Sequence, residues 1–128
     1  MFLTSDGGIV VNELAPRVHN SGHYTIEACE CSQFENHVRA VLGLPLGSTR
    51  MVAPAAVMVN LLGSVQAPGR IGGLDEALAV PGARVHLYGK AMSGVGRKMG
   101  HVTALGNTPA EAEQAAIIPE TVRGPDGE

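Results

Sequence analysis

Between positions 12 and 23 the chain reads Asn12-Glu13-Leu14-Ala15-Pro16-Arg17-Val18-His19-Asn20-Ser21-Gly22-His23. A carboxylate, a guanidinium, two imidazoles, an amide and a hydroxyl fall in one short run just past the apolar stretch Gly8-Ile9-Val10-Val11. Arg17 follows Pro16, which fixes the backbone before it, and a guanidinium grips a planar anion through two parallel hydrogen bonds. Phosphate, carboxylate and bicarbonate all suit that grip, and His19, Asn20, Ser21 and His23 add donors nearby. Glu13 at the end of an apolar strand is costly to bury unless it is paired or bound to a cation. A hard ion such as Mg²⁺, which takes few carboxylates and fills its shell with phosphate oxygens and water, is one answer. An ion pair with Arg17 is the plainer one, and spacing alone leaves both open.

A second group lies near the other end of the chain. Lys90, Arg97 and Lys98 bracket a glycine-containing loop that leads to His101. Three cations closing on a strand can clamp a phosphate, although the same composition describes an ordinary solvated hairpin. Gly94-Val95-Gly96 is too short for a nucleotide-binding fingerprint. His37, His86, Cys29 and Cys31 read as surface or packing residues. The cysteines are too close in sequence for an unstrained disulfide, so free thiols of a cytoplasmic protein are expected.

Composition narrows the classes. With 128 residues, 45% hydrophobic and 16% charged, the chain reads as globular, and its net charge of −3 lacks the basic excess of a nucleic-acid binder. No stretch is long and apolar enough to span a bilayer, so no membrane partner is expected. Trp is absent and aromatics make up 3%, which leaves the core to Val, Leu, Ile, Ala and Met.

These groups need elements to hold them. Met1 to Thr4, the turn Ser5-Asp6-Gly7-Gly8, and Ile9 to Leu14 predict a β-hairpin. The segment 24–30 gives no clear pattern. Ser32-Gln33-Phe34-Glu35 matches a capping box, in which Ser32 caps and Glu35 reaches back. Phe34, Val38, Val41 and Leu42 then share one helical face, with Gly43 and Pro45 as stops. Ala55 to Leu62 predicts a strand and 63–73 a glycine-rich loop. Leu74 to Ala79 predicts a short helix, Ala83 to Tyr88 a strand and Met99 to Leu105 its return. Asn107 or Thr108 caps a last helix with Pro109 in its first turn and Ala110 to Ala116 as its body. The expected class is α+β. Residues 1–47 form a strand–loop–helix piece, 48–118 a small β-rich module and 119–128 a flexible tail.

The two polar loops together resemble the 5-(carboxyamino)imidazole ribonucleotide synthase family, ATP-grasp enzymes of purine synthesis also described as the ATPase subunit of phosphoribosylaminoimidazole carboxylase. The resemblance rests on the string from Asn12 to Thr25, on Ser32-Gln33-Phe34-Glu35, on Leu42 to Gly47 and on Ala56 to Gly63. Tyr88-Gly89-Lys90 and Gly96-Arg97-Lys98-Met99-Gly100-His101 complete it. It implies the end of an ATP-grasp domain followed by a small β-rich C-terminal domain. The implied activity is an ATP-dependent ligation, in which ATP and bicarbonate form carboxyphosphate and the exocyclic amine of 5-aminoimidazole ribonucleotide takes up its carbon. The implied cofactors are ATP and Mg²⁺, and the implied full-length assembly is a homodimer.

By the same resemblance Glu13 is a metal ligand, and Asn12 and Glu13 face the nucleotide. Arg17 and His19 are the catalytic pair. With Asn20 and Ser21 they line the bicarbonate and ribonucleotide pocket. Lys90, Arg97 and Lys98 hold the ribonucleotide phosphate. Ala15 stands where many ATP-grasp proteins carry a metal-binding Asn, and Ser93-Gly94-Val95 replaces the family's more frequent Arg-Pro pair. Family members carry a nucleotide-fold domain and an adenine pocket ahead of these residues, so the chain is expected to be a C-terminal fragment that does not turn over alone. The rival expectations are a stand-alone anion- or nucleotide-binding module, or the complementing half of a split enzyme.

Overall fold

A strand that alternates its side chains between two faces needs a cover for each, and the central sheet of this protein has two covers of opposite character. The computed structural model describes residues 1–69 and 72–117. The N-terminal hairpin pairs β1 (Phe2–Leu3) with β2 (Ile9–Val10). A 3-10 turn (Asn20–Gly22) and α1 (Thr25–Ala28) lead into α2 (Gln33–Val41). The sheet follows, with β3 (Ala55–Leu62), β4 (Arg84–Leu87) and β5 (Lys98–Gly106) antiparallel in the order β3-β5-β4, while α3 (Leu74–Ala79) and α4 (Pro109–Ala116) lie between and after them.

The register sorts the residues. β5 places Val102 between Val59 and Val85, and His101 between Asn60 and His86. The odd-and-even split puts Leu61, Val85 and Val102 in an apolar cluster with Ala77, Ala83 and Val80 from around α3. Ala112 and Ala116 of α4 are fully buried. The opposite face carries Asn60, His86, His101 and Thr103. It is covered by the segment between the 3-10 turn and α1, as the side-chain contacts described below establish.

The expected capping box at the start of α2 is half formed. Ser32 Oγ accepts from the Glu35 amide at 3.1 Å, but the Glu35 carboxylate turns forward to Arg39, at 2.9 and 2.7 Å, rather than back to the cap. The helix ends in a Schellman turn: Leu44 N–H donates to Arg39 O, Gly43 N–H donates to Ala40 O, and Gly43 adopts φ +69°. Its apolar stripe is open, with Val38, Val41 and Leu42 all more than half exposed. Thr108 caps α4 through its Oγ1.

The return strand is shorter than the expected Ile9 to Leu14. The ladder pairs Phe2 with Val10 and Leu3 with Ile9. Residues 24–30, without a pattern in sequence, hold the one-turn α1 and then an extended stretch that hydrogen-bonds to 48–52 through Glu30 N–Arg50 O, Cys31 N–Ser48 O and Val52 N–Ala28 O. The expected tail at 119–128 lies outside the described residues.

Candidate functional site

The polar loop enters the site through a turn held from both sides. Thr25 Oγ1 donates to Gly22 O at 2.6 Å and accepts from Gln33 N–H at 2.9 Å, while Gln33 Oε1 accepts from His19 N–H at 2.8 Å. Gly22 is buried there, where a Cβ would lie 2.5 Å from Gln33 Oε1. Ser21 N–H donates to His19 Nδ1 at 3.2 Å, and the Ser21 hydroxyl lies 2.9 Å from the same nitrogen. Nδ1 is therefore an acceptor, and the neutral ring carries its proton on Nε2.

Asn20 ties this loop to the sheet and to the cationic hairpin. Its Nδ2 donates to Asn60 Oδ1 on β3 at 2.8 Å, and its Oδ1 accepts from Lys98 Nζ at the start of β5 at 2.8 Å. Lys90 Nζ donates to the Lys98 carbonyl at 2.5 Å and stands 5.6 Å above the Tyr88 ring centre. Asn20, Lys90 and Lys98 are thus brought together.

Other expected site residues stand apart from this seam. Asn12 Oδ1 accepts from the N-terminal amine at 3.1 Å. Glu13 is exposed. Arg17 Nη1 donates to the adjacent Val18 carbonyl at 3.2 Å, so the Glu13–Arg17 ion pair left open by spacing is not the contact formed. Arg97 is exposed, and its carbonyl accepts from Gly63 N–H. Among the described residues no group of three or more His, Cys, Asp or Glu is arranged to hold a metal ion. One exposed carboxylate at Glu13 suits Mg²⁺ only as an ion that arrives with its own phosphate oxygens and water.

Beneath the cations lies a cluster that sequence reasoning did not assemble. His101 is 1% exposed. Its Nδ1 lies 2.9 Å from the Tyr88 hydroxyl. The His86 ring stacks on it at 4.5 Å, and His23 meets it edge-on at 4.9 Å. His86 Nε2 donates to Glu27 Oε1 at 2.6 Å, and Glu27 is itself largely buried. Burial, helped by the neighbouring His86 and His23, lowers the His101 pKa to about 4. His101 is therefore a neutral, buried ring at neutral pH rather than a fourth cation of the hairpin. His86, read from sequence as surface or packing, is the link between His101 and Glu27. The available signal was alternation: His86 on one strand with Tyr88 just past its end, and His101 and Thr103 on the neighbouring strand, repeat at a spacing of two.

A cavity of about 410 Å³ opens beside Ser21, lined by Tyr24, Met51, Ala56 and Met58. The seam therefore presents two ammonium groups, an amide and a hydroxyl beside a hollow, on a sheet face whose buried imidazole is uncharged. The chemistry of such a surface suits an anion bearing a hydrogen-bonding body.

Comparison with known proteins gives the setting. The family profile of the ATP-grasp domain matches residues 1–34, and that of the phosphoribosylaminoimidazole carboxylase C-terminal domain matches residues 56–115. The chain is 51% identical over 120 residues to the phosphoribosylaminoimidazole carboxylase of Schizosaccharomyces pombe, covering 89% of this chain and 22% of that protein. It is 54% identical over 103 residues to the N5-carboxyaminoimidazole ribonucleotide synthase of Bacillus subtilis, covering 80% and 26%. Among solved structures, the N5-carboxyaminoimidazole ribonucleotide synthetase of Thermotoga maritima superposes with a TM-score of 0.84 at 53% identity, over 91% of this chain and 33% of that one. The synthase of Aspergillus clavatus in complex with ADP and 5-aminoimidazole ribonucleotide superposes at 0.80 with 41% identity, over 94% and 32%. The chain spans about a quarter of the length of these curated relatives.

Proposed function

The chain belongs to the N5-carboxyaminoimidazole ribonucleotide synthase family, and from that premise we propose that it supplies the bicarbonate and ribonucleotide-phosphate side of an ATP-dependent carboxylating ligase. The reaction is the conversion of 5-aminoimidazole ribonucleotide, bicarbonate and ATP to 5-(carboxyamino)imidazole ribonucleotide, ADP and phosphate. The single observation that carries the reading is Asn20, which joins the polar loop to the cationic hairpin through Lys98.

Lys90 and Lys98, with Arg97 at the loop edge, hold the phosphate of the ribonucleotide as point charges. Asn20 and Ser21 hydrogen-bond its body or the bicarbonate, and His19 offers a neutral Nε2–H beside them. Arg17 holds bicarbonate flat by paired hydrogen bonds, so that one of its oxygens meets the γ-phosphorus of ATP. A new O–P bond forms as the bond to ADP breaks. The exocyclic amine then attacks the carbon of carboxyphosphate, phosphate leaves, and the amine proton passes to a base. Glu13, with Asn12 beside it, faces the nucleotide, and Mg²⁺ bound there with ATP would offset the charge on the phosphoryl group in flight. The division into residues 1–47 and 48–118 is part of this reading and is supported by the separate extents of the two family matches.

Calorimetric titration with 5-aminoimidazole ribonucleotide tests the proposal. The unaltered chain is expected to bind it, and the double substitution Lys90→Ala with Lys98→Ala is expected to weaken binding by about a hundredfold, on the order of two charge-assisted hydrogen bonds. Binding that ignores both lysines would overturn it.

A further inference from the structure

The Lys90 ammonium of the hairpin does not stand free, because an aromatic ring lies beneath it. The Lys90 ammonium lies over the face of the Tyr88 ring, 5.6 Å from its centre. The Tyr88 hydroxyl lies 2.9 Å from His101 Nδ1. Lys90 Nζ also donates to the Lys98 carbonyl at 2.5 Å, so the ammonium above the ring is tied to the backbone of the second lysine.

His101 is in turn packed on several sides. It is fully buried, stacked on His86 and flanked edge-on by His23. Glu27 anchors His86 from α1, and the His101 Nε2 atom has no partner among the described residues. The one specific polar tie that orients the ring is therefore the phenol. The reverse also holds: a half-buried Tyr needs a partner for its hydroxyl.

We propose that Tyr88 is a positioning residue, fixed by His101, that holds the Lys90 ammonium against the Lys98 backbone, at the spacing from the Lys98 side chain required for the two lysines to grip one phosphate. It acts through the lysines and is not itself a ligand. The inference rests on the functional reading above, in which the hairpin binds a phosphomonoester.

An aromatic ring presents its negative face to an ammonium and keeps it near without neutralising it, as a carboxylate would. A neutral imidazole below the phenol orients it without adding a charge that would repel the lysines. Replacing either with an ionised group would alter the field at the anion, whereas the present pair leaves the full charge of both lysines for the guest.

Two substitutions separate the ring from its hydroxyl. Tyr88→Phe keeps the face beneath Lys90 and removes the tie to His101, while Tyr88→Leu removes both. Ribose 5-phosphate is the probe, followed by calorimetry, with thermal unfolding measured in parallel. Tyr88→Phe is expected to weaken binding about fivefold to tenfold, and Tyr88→Leu more than that. In a double-mutant cycle the effects of Tyr88→Phe and His101→Asn on affinity are expected to be less than additive, because both remove the same phenol–imidazole tie. A purely structural role would lower the unfolding temperature and leave affinity in the folded range unchanged. If the unaltered chain binds the probe and Tyr88→Phe binds it equally well, the inference falls while the functional reading stands. If the unaltered chain does not bind the probe, the functional reading fails and takes the inference with it.

Discussion

At the residue scale the buried imidazole has a consequence for acid stability. His101 titrates near pH 4 in the folded chain, against an ordinary value of 6.5. Between those values the unfolded chain binds a proton that the folded one refuses, so stability rises with pH across the interval. The contribution is fully present above about pH 6.5 and is lost as pH falls toward 4, for a total on the order of 3 kcal/mol. Denaturant unfolding at a series of pH values should show this slope. The variant His101→Asn, which has no titrating group at that position, should flatten it. The carboxylates of Glu30, Glu35 and Asp6, held below their usual range by hydrogen bonds, add their own loss only further down in pH.

At the element scale the backbone itself approaches the site. Segment 67–69 runs beside 91–93, with Gly69 N–H donating to Ala91 O and Ser93 N–H to Ala67 O. A Cβ on Gly69 would lie 1.9 Å from the Lys90 carbonyl oxygen, which is backbone and cannot swing aside. Gly69→Ala should therefore cost about 2–4 kcal/mol of stability and also weaken phosphate binding, because the strain lands on Lys90. Paired unfolding and titration measurements check both.

The same scale explains what sequence could reveal. α2 and α4 were legible because Ser32, Thr108 and Pro109 are local signals, and β3 because its apolar run is long. α1 was not, since its one turn starts at Tyr24 without a side-chain cap. The site divides in the same way. The residue types at 17–23 and 90–98 announce anion chemistry, but Asn20 and Lys98 lie 78 residues apart, and His86 and Glu27 lie 59 apart. Only the β4–β5 register brings His86 onto His101, and no local spacing encodes that register.

At the scale of the whole molecule, apolar surface is laid open along the hairpin and around α2, among other positions. Phe2, Leu3, Ile9 and Val10 of the hairpin, and Val38, Val41 and Leu42 around α2, are about half or more exposed. A short hairpin with a bare edge pairs readily with another, and apolar patches of this kind seek a cover. The isolated chain is expected to self-associate as its concentration rises. Sedimentation velocity should show this, and Ile9→Lys should reduce it; a strictly monomeric chain at high concentration would contradict the expectation.

The division of the sheet into an oily side and a wet side also dictates which changes the gene can bear. Along β5, His101 and Val102 occupy adjacent rungs that face opposite ways. A single-codon insertion or deletion inside this strand would carry the valine to the lysine seam and thrust the imidazole among Leu61 and Ala77. Point replacements there can be graded, whereas a change of length is all-or-nothing, so indels in this protein are expected to survive in the loops and to be purged from its middle strand.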